Sequence, residues 1–307
     1  ESGEWIANTD GTYANDNKSV LVAQSDKQYN AGAGNSIVNV TGGTFKGGYN
    51  CYGNAAGDAQ INIKGGNFNA DPTSYVADGY VAVENNGVWN IVKAAAQIGS
   101  IAYTTIDAAL NAAQAGDVVT IAAGDYAQNL SINKAITVQG ETNTVSTLST
   151  AADSVSNNLV NFTGKLNITA DGATVKNINV NNGNSSAGYI NAMNVTVDGC
   201  QVVGGNGFRS CYTKGTVTFK NSVITGSTYG IHFDGSANGN IVIENCIITG
   251  WTSFASTINN VAIKDSKFAE GNYNQLRFYQ DVTIANTEFN ENMTIDFGKD
   301  EVSAEFT

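Results

Sequence analysis

From residue 173 onward, apolar and polar positions alternate with a period of two. The alternation then breaks at an Asn, Gly or Asp, and the whole pattern recurs. The copies read ATVKNINV from Ala173, VTVDGCQV from Val195, VTFKNSVI from Val217, IVIENCII from Ile241, VAIKDSKF from Val261 and VTIANTEF from Val282, with starts 22, 22, 24, 20 and 21 residues apart. A period of two puts the first position (Ala173, Val195, Val217, Ile241, Val261, Val282) and the third (Val175, Val197, Phe219, Ile243, Ile263, Ile284) on one face of a short strand. The second position (Thr196, Thr218, Val242, Ala262, Thr283) faces out. The fifth position (Asn177, Gly199, Asn221, Asn245, Asp265, Asn286) holds the residue types that tolerate a left-handed backbone. Asn side chains stacked there can bond one another between coils. The eighth position (Val180, Val202, Ile224, Ile248, Phe268, Phe289) turns apolar again. Such a coil, repeated, predicts an all-β, right-handed parallel β-helix with coils of about 20–24 residues. At the sixth position Cys200 and Cys246 lie two coils apart, about 9.6 Å at the strand spacing, which is too far for a disulfide. They read as small residues filling a tight corner.

An earlier block repeats the theme: VNVTGGTF from Val38 and INIKGGNF from Ile61. Between the two blocks, YTTIDAALNAAQAGDVVTIAAGDY begins at Tyr103. Thr104 or Thr105 can N-cap a helix over about 105–115. Ile106, Ala109, Leu110 and Ala113 then share one face, and Gly116 ends the helix. A capping helix suits an open solenoid end, whose backbone and apolar rows need cover. The expected organisation is therefore a β-rich block over residues 1–93 and a parallel β-helix over 94–307.

Composition narrows the partners. The net charge is −12 and the pI about 4.4, with only 15 Lys and Arg residues. A surface so poor in cations excludes nucleic acid as a partner. No apolar run reaches the roughly 20 residues of a membrane span. One His and four Cys without C-x-x-C spacing predict no metal site. The chain opens at Glu1 without a leader, so it reads as a mature form of a secreted or cell-surface protein.

Residues 103–141 resemble the start of a pectin-lyase-like domain, in which a short helix leads into "GDVV-I-AGDY" and then "ITVQG" (Ile136–Gly140 here). The resemblance runs through the coils to about residue 297. It implies the β-helix and leaves activity open, since that superfamily holds lyases, hydrolases, esterases, tailspikes and non-catalytic adhesins. The segment GGNFNADPTSYVADGYVAVENNGVWNIV, from Gly65, resembles a module end in large surface proteins of gut bacteria. That resemblance implies a bacterial, extracellular array.

Chemistry concentrates in short strands that precede each repeat: YINA (Tyr189), FRSCY (Phe208), IHFD (Ile231), FAST (Phe254) and LRFY (Leu276). Aligning Ile190, Phe208, Ile231, Phe254 and Leu276 as inward residues gives an outward row of Asn191, Arg209, His232, Ala255 and Arg277. A second outward row is Cys211, Asp234, Thr257 and Tyr279, flanked by Tyr212 and Tyr229. Both arginines and the single histidine of the chain fall in the first row. Arg and His beside Asp and Tyr can grip an acidic or hydroxyl-rich glycan. The expected binding residues are Asn191, Arg209, Tyr212, Tyr229, His232, Asp234, Arg277 and Tyr279. If the face is catalytic, the candidates are Arg209 on a carboxylate, His232 moving a proton and Asp234 orienting it.

Several features weigh against an enzyme. No run of acidic residues cages the Ca²⁺ that calcium-dependent lyases of this fold use, so no cofactor is expected. NTDG at Asn8–Gly11 matches a polygalacturonase motif but lacks its partner motifs and reads as a turn. Pectin-esterase motifs are missing. The expectation is an extracellular structural or adhesin-like module that binds carbohydrate through a flat β-face. The alternative is a polysaccharide-degrading lyase or glycoside hydrolase acting on the same face.

Overall fold

In a computed structural model the described residues are 3–6, 19–25, 34–52, 58–143, 150–233, 238–298 and 304–307. Asp234 and the NTDG segment at 8–11 lie outside them. The chain forms two compact units, Glu1–Ala109 and Leu110–Thr307. Strand accounts for 59% of the structure and helix for 6%, and the fold is the parallel β-helix that the repeat predicts. No helix among the described residues is long and apolar enough to cross a membrane.

In the first unit the two copies of the early repeat lie side by side, with Val38 opposite Ile61, Val40 opposite Ile63 and Phe45 opposite Phe68. The Phe45 and Phe68 rings stack 4.8 Å apart over a core that includes Ile61 and Ile63. The glycines that break each copy are required: Gly66 has φ +114°, and a Cβ there would come within 2.9 Å of the Gly43 carbonyl oxygen. Pro72 leads into a 3₁₀ turn at Thr73–Tyr75, where the Asp71 carboxylate accepts from the Thr73 N–H (2.9 Å). A hairpin, Tyr80–Asn85 with Val88–Lys93, closes the sheet antiparallel. It gives the sheet an edge, not another coil.

In the second unit one sheet runs through Val118–Ile121, Thr137–Gly140, Thr174–Lys176, Val195–Asp198, Thr216–Lys220, Asn240–Glu244, Asn260–Lys264, Val282–Ala285 and Ala304–Phe306, each strand parallel to the next. Its inner column is Val119, Val138, Val175, Val197, Phe219, Ile243, Ile263 and Ile284, all 2% exposed or less. The eighth-position column, Val180 to Phe289, is equally in register. Outside, the fourth position alternates in sign: Lys176, Asp198, Lys220, Glu244 and Lys264 sit in consecutive register. Opposite charges across neighbouring strands favour this pairing over a slipped one.

The corner between the sheets follows the sequence pattern closely. Asn177, Asn221, Asn245, Asp265 and Asn286 have φ between 44° and 55°, and Gly199 has φ 62°. Asn245 donates to Asn221 (2.9 Å), Asn286 to Asp265 (2.7 Å) and Asn221 to Asp198 (2.8 Å). The sixth position fills the corner with Cys and Ser in turn. The Cys200 N–H donates to the Ser222 hydroxyl (3.1 Å), which donates to the Lys220 carbonyl (2.7 Å). Cys246, Ser266 and Lys264 repeat the arrangement at 3.1 and 2.7 Å. Both polar atoms of each buried serine bridge are thereby satisfied. Cys200 and Cys246 are free and buried, and burial pushes both thiols up to about 12.

The expected helix spans Ile106–Ala112, with Ala108 N–H donating to the Thr105 hydroxyl (3.1 Å). Ile106, Ala109, Leu110 and Ala113 are its buried face. Its C-terminal carbonyls are closed by one cation: Lys134 Nζ donates to Leu110, Asn111 and Ala113 oxygens at 2.9, 2.6 and 2.8 Å. A lysine at a helix C-terminus satisfies orphan carbonyls and complements the dipole.

Two outcomes follow. Asn245→Ala loses both a left-handed-tolerant side chain and a ladder bond, and is expected to cost about 2 kcal/mol in urea unfolding. Asn245→Gly, which keeps the backbone unstrained, is expected to cost about half of that; equal losses would show that the backbone conformation is not what Asn supplies. Because the folded thiols titrate above their ordinary value near 8.5, their contribution to stability is whole below that pH and fades as pH rises toward 12. At pH 8, iodoacetamide should label Cys51 and spare Cys200 and Cys246 until the protein is unfolded, as peptide mapping would read.

Candidate functional site: an aromatic and cationic face

The long strands Gln201–Cys211, Val223–Phe233 and Ile247–Phe254, with Gln275–Phe278 beyond them, carry the candidate face. Their register is not uniform. Phe208 lies opposite Ile231, and Cys211 opposite Phe233, so Arg209 and Ser210 together face the single residue His232. This is a β-bulge, which re-aims side chains beside functional sites. It reverses the alternation beyond it. Cys211, expected outward, is 0% exposed, because the extra residue at Ser210 takes the outward turn. The inward alignment accordingly splits into two columns. Phe208 and Ile231 belong to one, while Phe233 and Phe254 form another two residues further on.

Arg209, His232 and Arg277 do share an outward strip, through His232 opposite Ser253 and Ser253 opposite Arg277. Asn191 bridges to Tyr212 instead, so these two sit beside the strip, two residues along. Tyr229 lies opposite Trp251, in a neighbouring outward column that begins at Asn206. Tyr279 donates its backbone N–H to the Gln280 side chain (2.9 Å) and stands beside Arg277.

The rings form a stack. Tyr229 and Trp251 are 5.0 Å apart and 21° from parallel. His232 sits 4.5 Å from Tyr229 and 6.2 Å from Trp251. Each end is covered by a guanidinium: Arg209 lies 5.0 Å over Tyr229 and Arg277 lies 5.7 Å over Trp251. Lys165 adds a third cation 5.0 Å over Tyr189, one coil before Arg209. The cation–π pairs found among the described residues are thus all on this face. Each is worth about 0.5–1 kcal/mol when exposed, enough to orient a long side chain but not to neutralise it.

The two arginines differ. Arg277 holds the Asp296 carboxylate through Nη2 (2.6 Å) and Nε (2.8 Å), and this hydrogen bond raises its pKa further. Arg209 is exposed and pairs with no carboxylate among the described residues. In a chain of net charge −12, Arg209, like Lys165, is a cation of this face with no carboxylate partner among the described residues. Trp251, Ser210 and Asp296 were not singled out from sequence. Trp251 was legible, because Ile-Thr-Gly recurs at Ile224–Gly226 and Ile248–Gly250, and the next residues carry Tyr229 and Trp251. Ser210 was not, since a bulge leaves no mark in the apolar pattern.

A groove lies elsewhere on this unit. Of about 1180 Å³, it follows the Asn corner and is lined by Lys220, Asn221, Glu244, Asn245, Asp265 and Lys267, among others. Its Asn side chains are spent on the ladder, and Lys220, Asp265 and Lys267 pair with Asp198, Lys264 and Glu288. Among the described residues no three His, Cys, Asp or Glu side chains cluster to hold a metal.

No family model matches the chain, and no curated protein matches it. Among solved structures it is similar to a pectin methylesterase from Aspergillus niger, with 21% identity over 68% of this chain and 83% of that one, at TM-score 0.44. It is similar to the pectin methylesterase of Erwinia chrysanthemi at 13% identity over 64% and 78%, TM-score 0.44. A pectin methylesterase in complex with a hexasaccharide gives 14% over 63% and 77%, TM-score 0.45. Likeness at this level extends to the β-helix alone, and the fold stands on the strand register described above.

The Arg277–Asp296 side chains are 30% and 33% exposed, so a double-mutant cycle with Arg277→Gln and Asp296→Asn should give a coupling of about 0.5–1 kcal/mol in low salt. Most of it should vanish at about 1 M salt, where the screening length is near 3 Å. No coupling in low salt would show that the pair does not hold Arg277.

Proposed function

We propose that Leu110–Thr307 is an extracellular module that recognises an acidic polysaccharide along the face from Lys165 to Arg277. The observation that carries this reading is Arg209: an exposed guanidinium laid on Tyr229, beside Trp251 and His232, and paired with no carboxylate among the described residues. A planar guanidinium pre-oriented on an aromatic ring suits a carboxylate or sulfate. Coils stacked at about 4.8 Å repeat such contacts along an extended polymer. Asn191, Tyr212 and Tyr279 extend the surface with hydroxyl and amide groups for sugar oxygens; Asp234 lies outside the described residues and carries none of this reading.

Turnover on the same face is the second reading. It is favoured by His232, a proton carrier near neutral pH, set directly across from Arg209. The names of the similar structures are nearer to this alternative than to the adhesin-like expectation, but at those scores they add no weight. Binding is the primary reading because the cation–π contacts of Arg209 and Lys165 orient charge outward for an anionic ligand.

Affinity electrophoresis against carboxylated, sulfated and neutral polysaccharides tests both. The wild-type protein is expected to be retarded by an anionic polymer and released by salt. Arg209→Gln and Trp251→Ala are each expected to weaken retention about tenfold or more, near 1.4 kcal/mol. Retention unchanged by Arg209→Gln would overturn the role given to this face. Release of new reducing ends or of methanol during the experiment would shift the conclusion to an enzyme.

A further inference from the structure

Ser210 is the residue of this face that binding alone does not explain. Among the described residues other than glycine, positive φ falls on asparagines, on Asp265, and on Ser210, at 55°. Asn and Asp tolerate that region; a serine there is held against its preference and costs on the order of 1 kcal/mol. Strain of this kind persists where the surroundings over-determine it, and it concentrates at functional sites.

The strain has a definite effect. In an unbroken strand Phe208 in and Arg209 out would place residue 210 inward. The left-handed step throws the Ser210 hydroxyl out and returns Cys211 to the core, so Ser210 is exposed while Cys211 is fully buried. The hydroxyl makes no hydrogen bond to the described residues. Glycine or asparagine would make the same bulge without the cost. Directly across, in register with the bulge, stands His232, on a strand about 4.8 Å away. Its ring is held by Tyr229 at 4.5 Å and by Trp251 at 6.2 Å. Arg209, the neighbour of Ser210, supplies positive charge at the same spot.

We propose that Ser210 is a nucleophile and His232 its base in an ester-cleaving site acting on O-acyl groups of a polysaccharide, a proposal that rests on the polysaccharide reading above. Ser210 Oγ attacks the ester carbonyl carbon while His232 takes the hydroxyl proton. The tetrahedral oxyanion lies against Arg209. Collapse breaks the acyl carbon–oxygen bond, and the sugar hydroxyl leaves with the proton from His232. Water then attacks acyl-Ser210, His232 takes its proton and returns it to Oγ, and the carboxylic acid departs. No oxidant, metal or co-reactant other than water enters the balance.

The test uses the whole chain with a fluorophosphonate probe and p-nitrophenyl acetate, followed by peptide mapping. The expected result is a single phosphonylated site at Ser210 and ester hydrolysis, both slowed about 100-fold or more in His232→Gln. Ser210→Gly removes the hydroxyl and the strain together. It should melt at a higher temperature than the wild type, lose labelling and hydrolysis, and keep polysaccharide retention. No label at Ser210, or labelling indifferent to His232→Gln, overturns the proposal. Retention on the anionic polymer, run on the same samples, separates the two failures. Retention without labelling removes the nucleophile and leaves the polysaccharide reading. Labelling without retention keeps Ser210 and His232 as a reactive pair and overturns the polysaccharide as what they act on.

Discussion

One left-handed residue per coil, from Asn177 to Asn286, is the constraint on which the stacked repeat depends. At each corner the chain must turn out of the first sheet and re-enter the second without losing register. A residue at φ near 50° does this in a single step. The asparagine and aspartate side chains that tolerate that backbone also tie neighbouring coils to one another. Because the same step recurs about every 22 residues, every inward column is aligned with the one before it, and apolar burial accumulates along the solenoid. The alternating charges of the fourth position and the Cys–Ser bridges of the sixth act on the same register. A slip by one residue would separate these opposite charges and turn a column of Val and Ile outward.

The candidate face exists because register is relaxed at one place. The long strands carry a bulge at Arg209–Ser210 and irregularities around Gly226–Tyr229. These bring Arg209, Ser210, His232, Tyr229 and Trp251 together, although strict alternation would have placed some of them in the core. The result is a stack of aromatic rings covered by a guanidinium at each end, one spent on Asp296 and the other with no carboxylate partner among the described residues. That asymmetry turns a polar surface into a directional one.

The repeat, its turn residues, its inward columns and the capped helix were all legible in sequence, since each obeys a local rule. Period-two alternation, tolerance of positive φ and a Thr N-cap do not depend on distant residues. The site was half legible. Arg209, His232 and Arg277 are chemically conspicuous and share one strip, with Tyr229 in the column beside it. Asn191 was aligned with them only because the alignment assumed unbroken strands. Asp296 carries no sequence signal because it lies one coil beyond its partner Arg277, and no motif connects them. The first unit was legible as a repeat but not as an edge: its hairpin depends on Val88–Lys93 turning back antiparallel, and the apolar pattern does not encode that direction.

The most direct test of this account is a crystal structure of the protein soaked with an acidic oligosaccharide. The account predicts density lying across Tyr229, His232 and Trp251, with an anionic group on the Arg209 guanidinium and Arg277 still paired to Asp296. Density confined to the groove along the Asn corner, leaving the aromatic face empty, would contradict it.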